Sequence, residues 1–321
     1  MYRNLQRWET TLRIGTLREI WRFPVKSMAG ERLDAAQVTP SGIPGDRGWA
    51  TRDEGAKEMR SAKYLPKLML CSALYREPPE GANGSVPHVD ITLPDGTRTA
   101  SDDPEVNARL SELVGRAVTL WPLRPAEDRA HYRRATPGAG LMRRLSQIGA
   151  ILPYLVAIIR TARLEGSVRE ALSREPDEPI PDFQNVPSDL FEFTSPPGTY
   201  FDLAPLHLLT TASLAEMARI NPSADWDVRR FRPNFVVETE PGMEGLVEAG
   251  WSGRTLRIGE ATIDCWLPAP RCGMTTHPQQ GLPKDPSVLR SIVREADQNL
   301  GIYGSATGSA RIRVGDVVEL V

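Results

Sequence analysis

Prolines and glycines are scattered from one end of this chain to the other, 28 and 26 of them in 321 residues, and they limit how long any regular element can run. Proline removes a backbone donor and clashes inside a helix, and glycine weakens helix and strand alike. A chain punctuated in this way is expected to fold into many short strands joined by turns, not into a helical bundle. Its length is enough for two domains of ordinary size.

Alternation of apolar and polar residues marks the strands. Ile20 to Val25 alternates, and Leu33 to Val38 follows before a turn cluster from Thr39 to Gly48. Leu68 to Tyr75 and Val89 to Leu93 also read as strands. A helix comes next, with Asp103 as N-cap, Val106, Leu110, Leu113 and Val114 as its apolar stripe, and Gly115 as its stop. Ala117 to Leu120 returns to strand, so residues 12–124 are expected to form one mostly-β unit.

Residues 125–187 have another character. Leu141, Leu145, Ile148, Leu152, Leu155 and Ile159 recur at helical spacing, and Pro153 should kink the helix they form. Its apolar core, Ile148 to Ile159, is shorter than the roughly 20 residues that cross a bilayer. The 141–163 helix is expected to pack on the β unit or in a homodimer interface, with a membrane-surface position as the alternative. Arg174 to Asp182 reads as a linker.

Residues 188–321 are again strand-rich. Ser213 to Glu216 reads as a capping box opening a helix through Ile220. Thr255 to Ile258 and Ala261 to Trp266 read as a hairpin turning at Gly259-Glu260. Asp285-Pro286 caps a helix carrying Val288, Leu289, Ile292 and Val293 to near Gly301, and Arg311 to Leu320 closes the chain as strand, turn, strand.

A net charge of −2 argues against a broad nucleic-acid footprint. Cys71, Cys265 and Cys272 cannot all pair and form no C-x-x-C, which fits a reducing cytoplasm better than a disulfide framework. The first ten residues hold no apolar core of signal-peptide length, so no export is expected. There is no P-loop, dinucleotide fingerprint or nucleophile elbow, so neither ATP nor NAD(P) is expected as a tightly held cofactor. Pyridoxal phosphate is not expected either.

Four places carry candidate chemistry. Cys272 lies on the punctuated loop from Leu267 to Gly281, directly after a strand, where loops often carry function. Arg271 beside it favours the thiolate, which is a nucleophile or a soft metal ligand; the plainer alternative is a buried cysteine acting as a small hydrophobe. Pro233 bars a helix interior, so Arg230, Arg232 and Asn234 are expected on one face of an extended segment, with Phe231 and Phe235 on the other. Two guanidiniums and an amide suit an oxygen-rich anion, unless an arginine pairs with Asp225, Asp227 or Glu238. Lys26-Ser27 and Arg47 end strands next to Gly30, Gly45 and Gly48, within reach of an anion. Thr210 and Thr211 precede the Ser213 cap at a helix N-terminus. His207 is expected to be buried and hydrogen-bonded, not a ligand.

Phe23-Pro-Val-Lys26-Ser27 with Gly45-Asp46-Arg47-Gly-Trp49, Leu208-Leu-Thr210-Thr211, Phe231-Arg232-Pro233-Asn234, Arg271-Cys272 with Thr275-Thr276, and Val314-Gly315-Asp316-Val317 resemble, in this order, the motifs of the MOSC family. That family includes molybdenum-cofactor sulfurases and enzymes that reduce amidoximes and hydroxylaminopurines. The resemblance implies a mostly-β (α+β) chain: a MOSC N-terminal β-barrel domain over 12–124, a helical insertion and linker over 125–187, and a MOSC β-barrel domain that binds the molybdenum cofactor over 188–321. It implies Cys272 as the molybdenum ligand and a catalytic residue, with Arg271 beside it. Lys26, Ser27, Arg47, Thr210, Thr211, Arg232, Asn234 and Arg271 would hold the molybdopterin. The implied reaction is reduction of a small N-hydroxylated substrate, with electrons from a separate protein. The alternatives are a sulfur carrier or sulfurtransferase using a Cys272 persulfide, and a non-enzymatic cofactor carrier. Thr275-Thr276-His277-Pro278 lacks the Asp of the reductases' Thr-Thr-x-Asp-Pro, so the substrate-side loop is this chain's own.

Overall fold

The computed structural model describes residues 11–79, 85–135, 166, 169–170, 172–180 and 192–321. Its strands in chain order are β1 (Leu12–Arg22), β2 (Glu31–Leu33), β3 (Ala35–Val38), β4 (Trp49–Asp53), β5 (Glu58–Met59), β6 (Ser72–Tyr75), β7 (Val89–Thr92), β8 (Arg98–Ala100), β9 (Val118–Pro122), β10 (Leu206–Thr210), β11 (Phe235–Thr239), β12 (Thr255–Ile258), β13 (Ala261–Pro270), β14 (Asn299–Ala306), β15 (Ala310–Arg313) and β16 (Val317–Leu320). The chain is mostly β, as its punctuation implied.

Seven strands close a barrel in the order β11-β10-β14-β13-β12-β16-β1, with β1 returning to β11. All these pairings are antiparallel except β10 with β11. The interior is filled by Leu17, Ile20, Leu208, Phe235, Leu256, Ile263, Ile302 and Val318, all fully buried. Strand β1 belongs to the amino-terminal stretch by sequence, yet its partners β11 and β16 lie near the other end of the chain. The amino-terminal region is thereby hydrogen-bonded into the barrel. Of its other strands, β2 pairs with β1 and β3 with β15, and the rest form the sheets β5-β4-β9 and β6-β7-β8 around Val25, Met28, Leu68 and Ile91.

Several local expectations hold for the expected reason. Ile258 pairs with Ala261 across Gly259, closing the hairpin. Gly115 ends the helix Val106–Val114 in the left-handed region, at φ 73°, and its N–H donates to Ser111 O. Asp285 caps the helix Pro286–Glu295 by accepting from the Ser287 N–H at 2.9 Å.

Others are corrected. Only Ser72–Tyr75 of the expected Leu68–Tyr75 strand is extended; Pro66–Leu70 is a short 3-10 helix, because Pro66 sits at its first turn and Leu68 and Met69 turn inward. The helix expected to reach Gly301 stops at Glu295, and Asp297 and Gln298 adopt positive φ before β14 begins. The cap of the helix Thr211–Ile220 is Thr210, whose hydroxyl accepts from Ser213 N–H, so Ser213 lies inside the first turn. The 174–180 part of the expected linker is docked: Arg290, on the helix Pro286–Glu295, holds Glu178 at 2.5 Å and Glu175 at 3.3 Å. The expected 141–163 helix lies outside the described residues. Among the described residues no helix is long and apolar enough to cross a membrane.

Candidate functional site

Strand β13 delivers its carboxyl end to the barrel rim, and the chain turns there into a short 3-10 segment, Gly273–Thr276, with Cys272 at its N-cap position. Thr275 fixes that turn, donating from its N–H at 3.1 Å and its hydroxyl at 3.0 Å to the Cys272 carbonyl. Cys272 is half-buried, whereas Cys71 and Cys265 are buried. It opens on a cleft enclosing about 1020 Å³ of space, part of it open to solvent. Lys26, Ser27, Arg47, Lys63, Arg230, Arg232, Asn234 and Arg271 share the lining with Cys272, and among the described residues Asp202 is its one carboxylate.

The segment from Arg230 to Asn234 is not the flat ribbon its proline suggested. Val228–Arg230 is a 3-10 turn and Arg232 sits at φ 53°, so the arginines diverge. Arg230 is spent on the fold: Nε donates to Asp225 O at 2.8 Å, Nη1 to Thr275 O at 3.4 Å and Nη2 to Pro283 O at 3.0 Å. Arg232 donates one N–H to Met28 O at 2.5 Å, and its Nη2 is buried without a partner. Its guanidinium stacks 4.2 Å from the Phe23 ring centre, and that of Arg47 lies 4.7 Å from the same centre.

Arg47 also pairs closely with Asp46 and donates to Arg232 O at 3.4 Å. Asp46 in turn accepts from Asn234 Nδ2 at 2.9 Å, while Asn234 Oδ1 accepts from His207 N–H at 3.1 Å. Every polar atom of Asn234 is therefore engaged within the protein. Its side chain positions Asp46, and through it Arg47, where the sequence suggested direct contact with a ligand.

Arg271 also has a different use from the one expected. Its Nε donates to Leu300 O at 2.7 Å, Nη1 to Phe231 O at 3.3 Å, and Nη2 closely to His207 Nε2. The side chain ties β10, the Phe231 turn and β14 together instead of standing free beside the sulfur. His207 is buried and hydrogen-bonded as expected; burial and the Arg271 charge push its pKa well below the ordinary value, so the imidazole is neutral and Nε2 accepts.

Thr210 and Thr211 are not brought to this cleft. Thr210 is fully buried, and its hydroxyl donates to Glu248 Oε2 at 2.7 Å while capping its helix. The Thr211 hydroxyl meets that of Thr239 at 3.2 Å. The Thr210 hydroxyl caps the Ser213 N–H, and neither threonine lines the cleft that holds Cys272.

Lys26 Nζ bonds Asp202 and the Ser195 hydroxyl, both at 2.9 Å; burial lowers its pKa although Asp202 opposes the shift. The Ser27 hydroxyl accepts from Ala62 N–H at 2.8 Å, and Ser27 holds φ 74°. Against the cost of desolvation, Lys26 and Lys63 keep the Asp202 carboxyl below the usual range.

A model of the MOSC domain matches residues 198–319, and one of the MOSC N-terminal beta barrel domain matches 14–114. The chain belongs to the MOSC family. Mitochondrial amidoxime reducing component 2 of Rattus norvegicus is 25% identical to it over 334 residues, covering 95% of this chain and 83% of that protein. Component 1 of Homo sapiens is 24% identical over 331 residues, covering 96% and 83%. Among solved structures, the YUAD protein from Bacillus subtilis covers 97% of this chain and 96% of its own at 12% identity, with a TM-score of 0.39.

The donor set of this MOSC cleft fits an anionic cofactor with a soft metal. Among the described residues no cluster of three His, Cys, Asp or Glu could hold a metal by itself, so the protein offers one sulfur and a cationic wall. The buried, unpartnered Nη2 of Arg232 is the orphan such a group would satisfy, since an unpaired buried charged donor is costly.

The sequence reading missed Lys63, Asp202, Tyr200 and Tyr303, all on the lining. Tyr303 was findable: Leu300, Ile302, Gly304 and Ala306 alternate inward along β14 and leave Tyr303 on the other face. No local signal marked Lys63 or Asp202, which arrive from loops distant in sequence.

Proposed function

We propose that the cleft binds a molybdenum cofactor of the molybdopterin type through Cys272 and that the protein reduces small N-hydroxylated substrates there, of the hydroxylamine or amidoxime kind. The observation that carries this is a half-exposed thiol sharing one cleft with a guanidinium whose buried N–H lacks a partner. The relatives named for amidoxime reduction support the substrate class.

Cys272 would bind the metal, and Lys26, Ser27, Arg47 and Arg232 would hold the anionic and polar parts of the organic moiety. When bound, the cofactor supplies the two-electron reduction. The chain's own residues set the geometry around it. Phe23 stacks the Arg47 and Arg232 guanidiniums side by side, Asn234 and Asp46 hold Arg47 in place, and Thr275 fixes the turn that carries Cys272. Such outer contacts orient ligands and tune a metal site. Electrons would come from a separate donor protein. We further propose that residues 12–124 and 188–321 act as the two cofactor-binding units, in a cytoplasmic setting that suits three free cysteines.

Molybdenum per chain, measured by elemental analysis together with released pterin and amidoxime reduction, tests the reading. Cys272→Ala should lose metal and turnover together while circular dichroism stays unchanged. Full metal occupancy in that variant would overturn the assignment. A persulfide on Cys272 in a molybdenum-free protein would favour the sulfur-carrier alternative, and bound cofactor without turnover under a working donor would favour a cofactor carrier.

A further inference from the structure

Charge around the cleft is not matched evenly. Lys26 is paired with Asp202, Arg47 with Asp46, and Arg230 and Arg271 are bonded to carbonyls. Lys63 alone among the lining lysines and arginines makes no side-chain hydrogen bond or ion pair within the described residues, although it is only half-buried. Its chain neighbour Ala62 packs in one cluster with Met274 and Cys272, which puts Lys63 at the sulfur end of the cleft that Lys63 and Cys272 both line. A second cation, close to the Glu178 carboxylate but with one donor left open among the described residues, stands behind that end. Arg174 is buried, donates weakly to Gln298 Oε1 at 3.4 Å and to Leu172 O at 3.2 Å, and leaves Nη2 without a partner. The segment that carries it lies against the cysteine turn: Leu172 lines the cleft, and a Cβ on Gly273 would fall 2.2 Å from the Ser173 hydroxyl oxygen.

We propose that Lys63 is the binding point for a carboxylate on the substrate, backed by the field of Arg174, so that the site prefers anionic N-hydroxylated compounds over neutral ones. The inference rests on the reaction proposed above for its substrate class, but not for its charge preference. An ammonium lining a partly closed cleft with low-dielectric walls draws anions toward the adjacent atom. The carboxylate of Asp202, although it feels Lys63, has its ion pair with Lys26, and among the described residues Lys63 has no ion pair of its own. The cofactor's own anionic groups have Arg47 and Arg232, stacked together on Phe23.

The test compares iodoacetate with iodoacetamide as alkylating agents of Cys272, in the full-length chain produced without molybdenum cofactor. Both reagents lose iodide from the same kind of carbon, and dividing the ratio of their rates at Cys272 by the same ratio for a free small thiol removes both the reactivity of the thiol and the intrinsic difference between the reagents, leaving the effect of charge; every ratio and preference below is normalised in this way. Cys71 and Cys265 are buried, and peptide mass spectrometry assigns the label. The normalised ratio is expected to favour iodoacetate. Lys63→Met should lower the iodoacetate-to-iodoacetamide ratio about tenfold, the size of one charge-assisted contact; Lys63→Arg should restore it, and Arg174→Met should lower it by less. A ratio unchanged by Lys63→Met, or a wild-type preference for iodoacetamide, would overturn the proposal.

In the molybdenum-loaded protein, a benzamidoxime bearing a carboxylate should have a higher kcat/KM than its neutral parent, through KM, and Lys63→Met should erase the difference. Equal kcat/KM values for the two in the wild type would also overturn it. If neither is reduced and no molybdenum is present, the reaction reading fails while the alkylation ratio still decides the role of Lys63.

Discussion

Two pairs of arginines line the same cleft and have opposite uses. Arg230 and Arg271 are almost fully buried and direct their N–H groups at backbone carbonyls: Asp225, Thr275 and Pro283 for the first, Leu300 and Phe231 for the second. Arg47 and Arg232 stack on Phe23, and Arg232 keeps a buried N–H unsatisfied. The first pair stitches loops to the barrel; in the second, Arg47 pairs with Asp46, and the orphaned N–H of Arg232 is a cost that a bound anion would relieve. A count of cations around a pocket therefore says little about binding. What matters is which donors remain after the protein has satisfied its own carbonyls.

The contrast is sharpest if one arginine of each pair is removed. Arg230→Met should cost about 3 kcal/mol of stability in urea unfolding, because it empties the place of a fully buried side chain and removes the donors to the Asp225, Thr275 and Pro283 carbonyls. Metal content would fall only as far as unfolding requires. Arg232→Met should do the reverse, with a smaller loss of stability that reflects the one Met28 carbonyl it serves, and cofactor retention weakened by about 1.5–3 kcal/mol. Unchanged molybdenum occupancy at limiting cofactor would remove Arg232 from the site, and a large stability loss would place it with Arg230.

A smaller effect concerns the Arg271–His207 contact. The folded pKa of His207 lies well below its unfolded value of roughly 6.5, so the unfolded chain takes up this proton first as the pH falls. Stability should be level in this respect above about pH 6.5 and decline toward pH 5. Comparing urea midpoints at both ends of that range, wild type against His207→Gln, isolates the contribution. An equally steep acid decline in the variant would show that other groups cause it.

Much of the barrel was readable before any coordinates. The Gly259 hairpin, the Gly115 stop and the Asp285 cap depend on neighbours within a few residues, and local residue preferences specify them. Strand β14 was lost because two glycines blur its alternation, and with it went Tyr303. The expected common face of Arg230, Arg232 and Asn234 failed because the chain leaves the extended region at Arg232, where packing on Phe23 and Met28 overrides the local preference.

The amino-acid order by itself determined the strand-rich class, the family and the placement of Cys272 at the end of a strand. Each of these is encoded in short-range pattern or in motifs that survive translation into any one fold. Only the tertiary structure decided which cations are free. That is a matter of hydrogen-bond partners brought from distant segments, and the carbonyls that occupy Arg230 and Arg271, or leave Arg232 and Lys63 open, cannot be located until the barrel has closed.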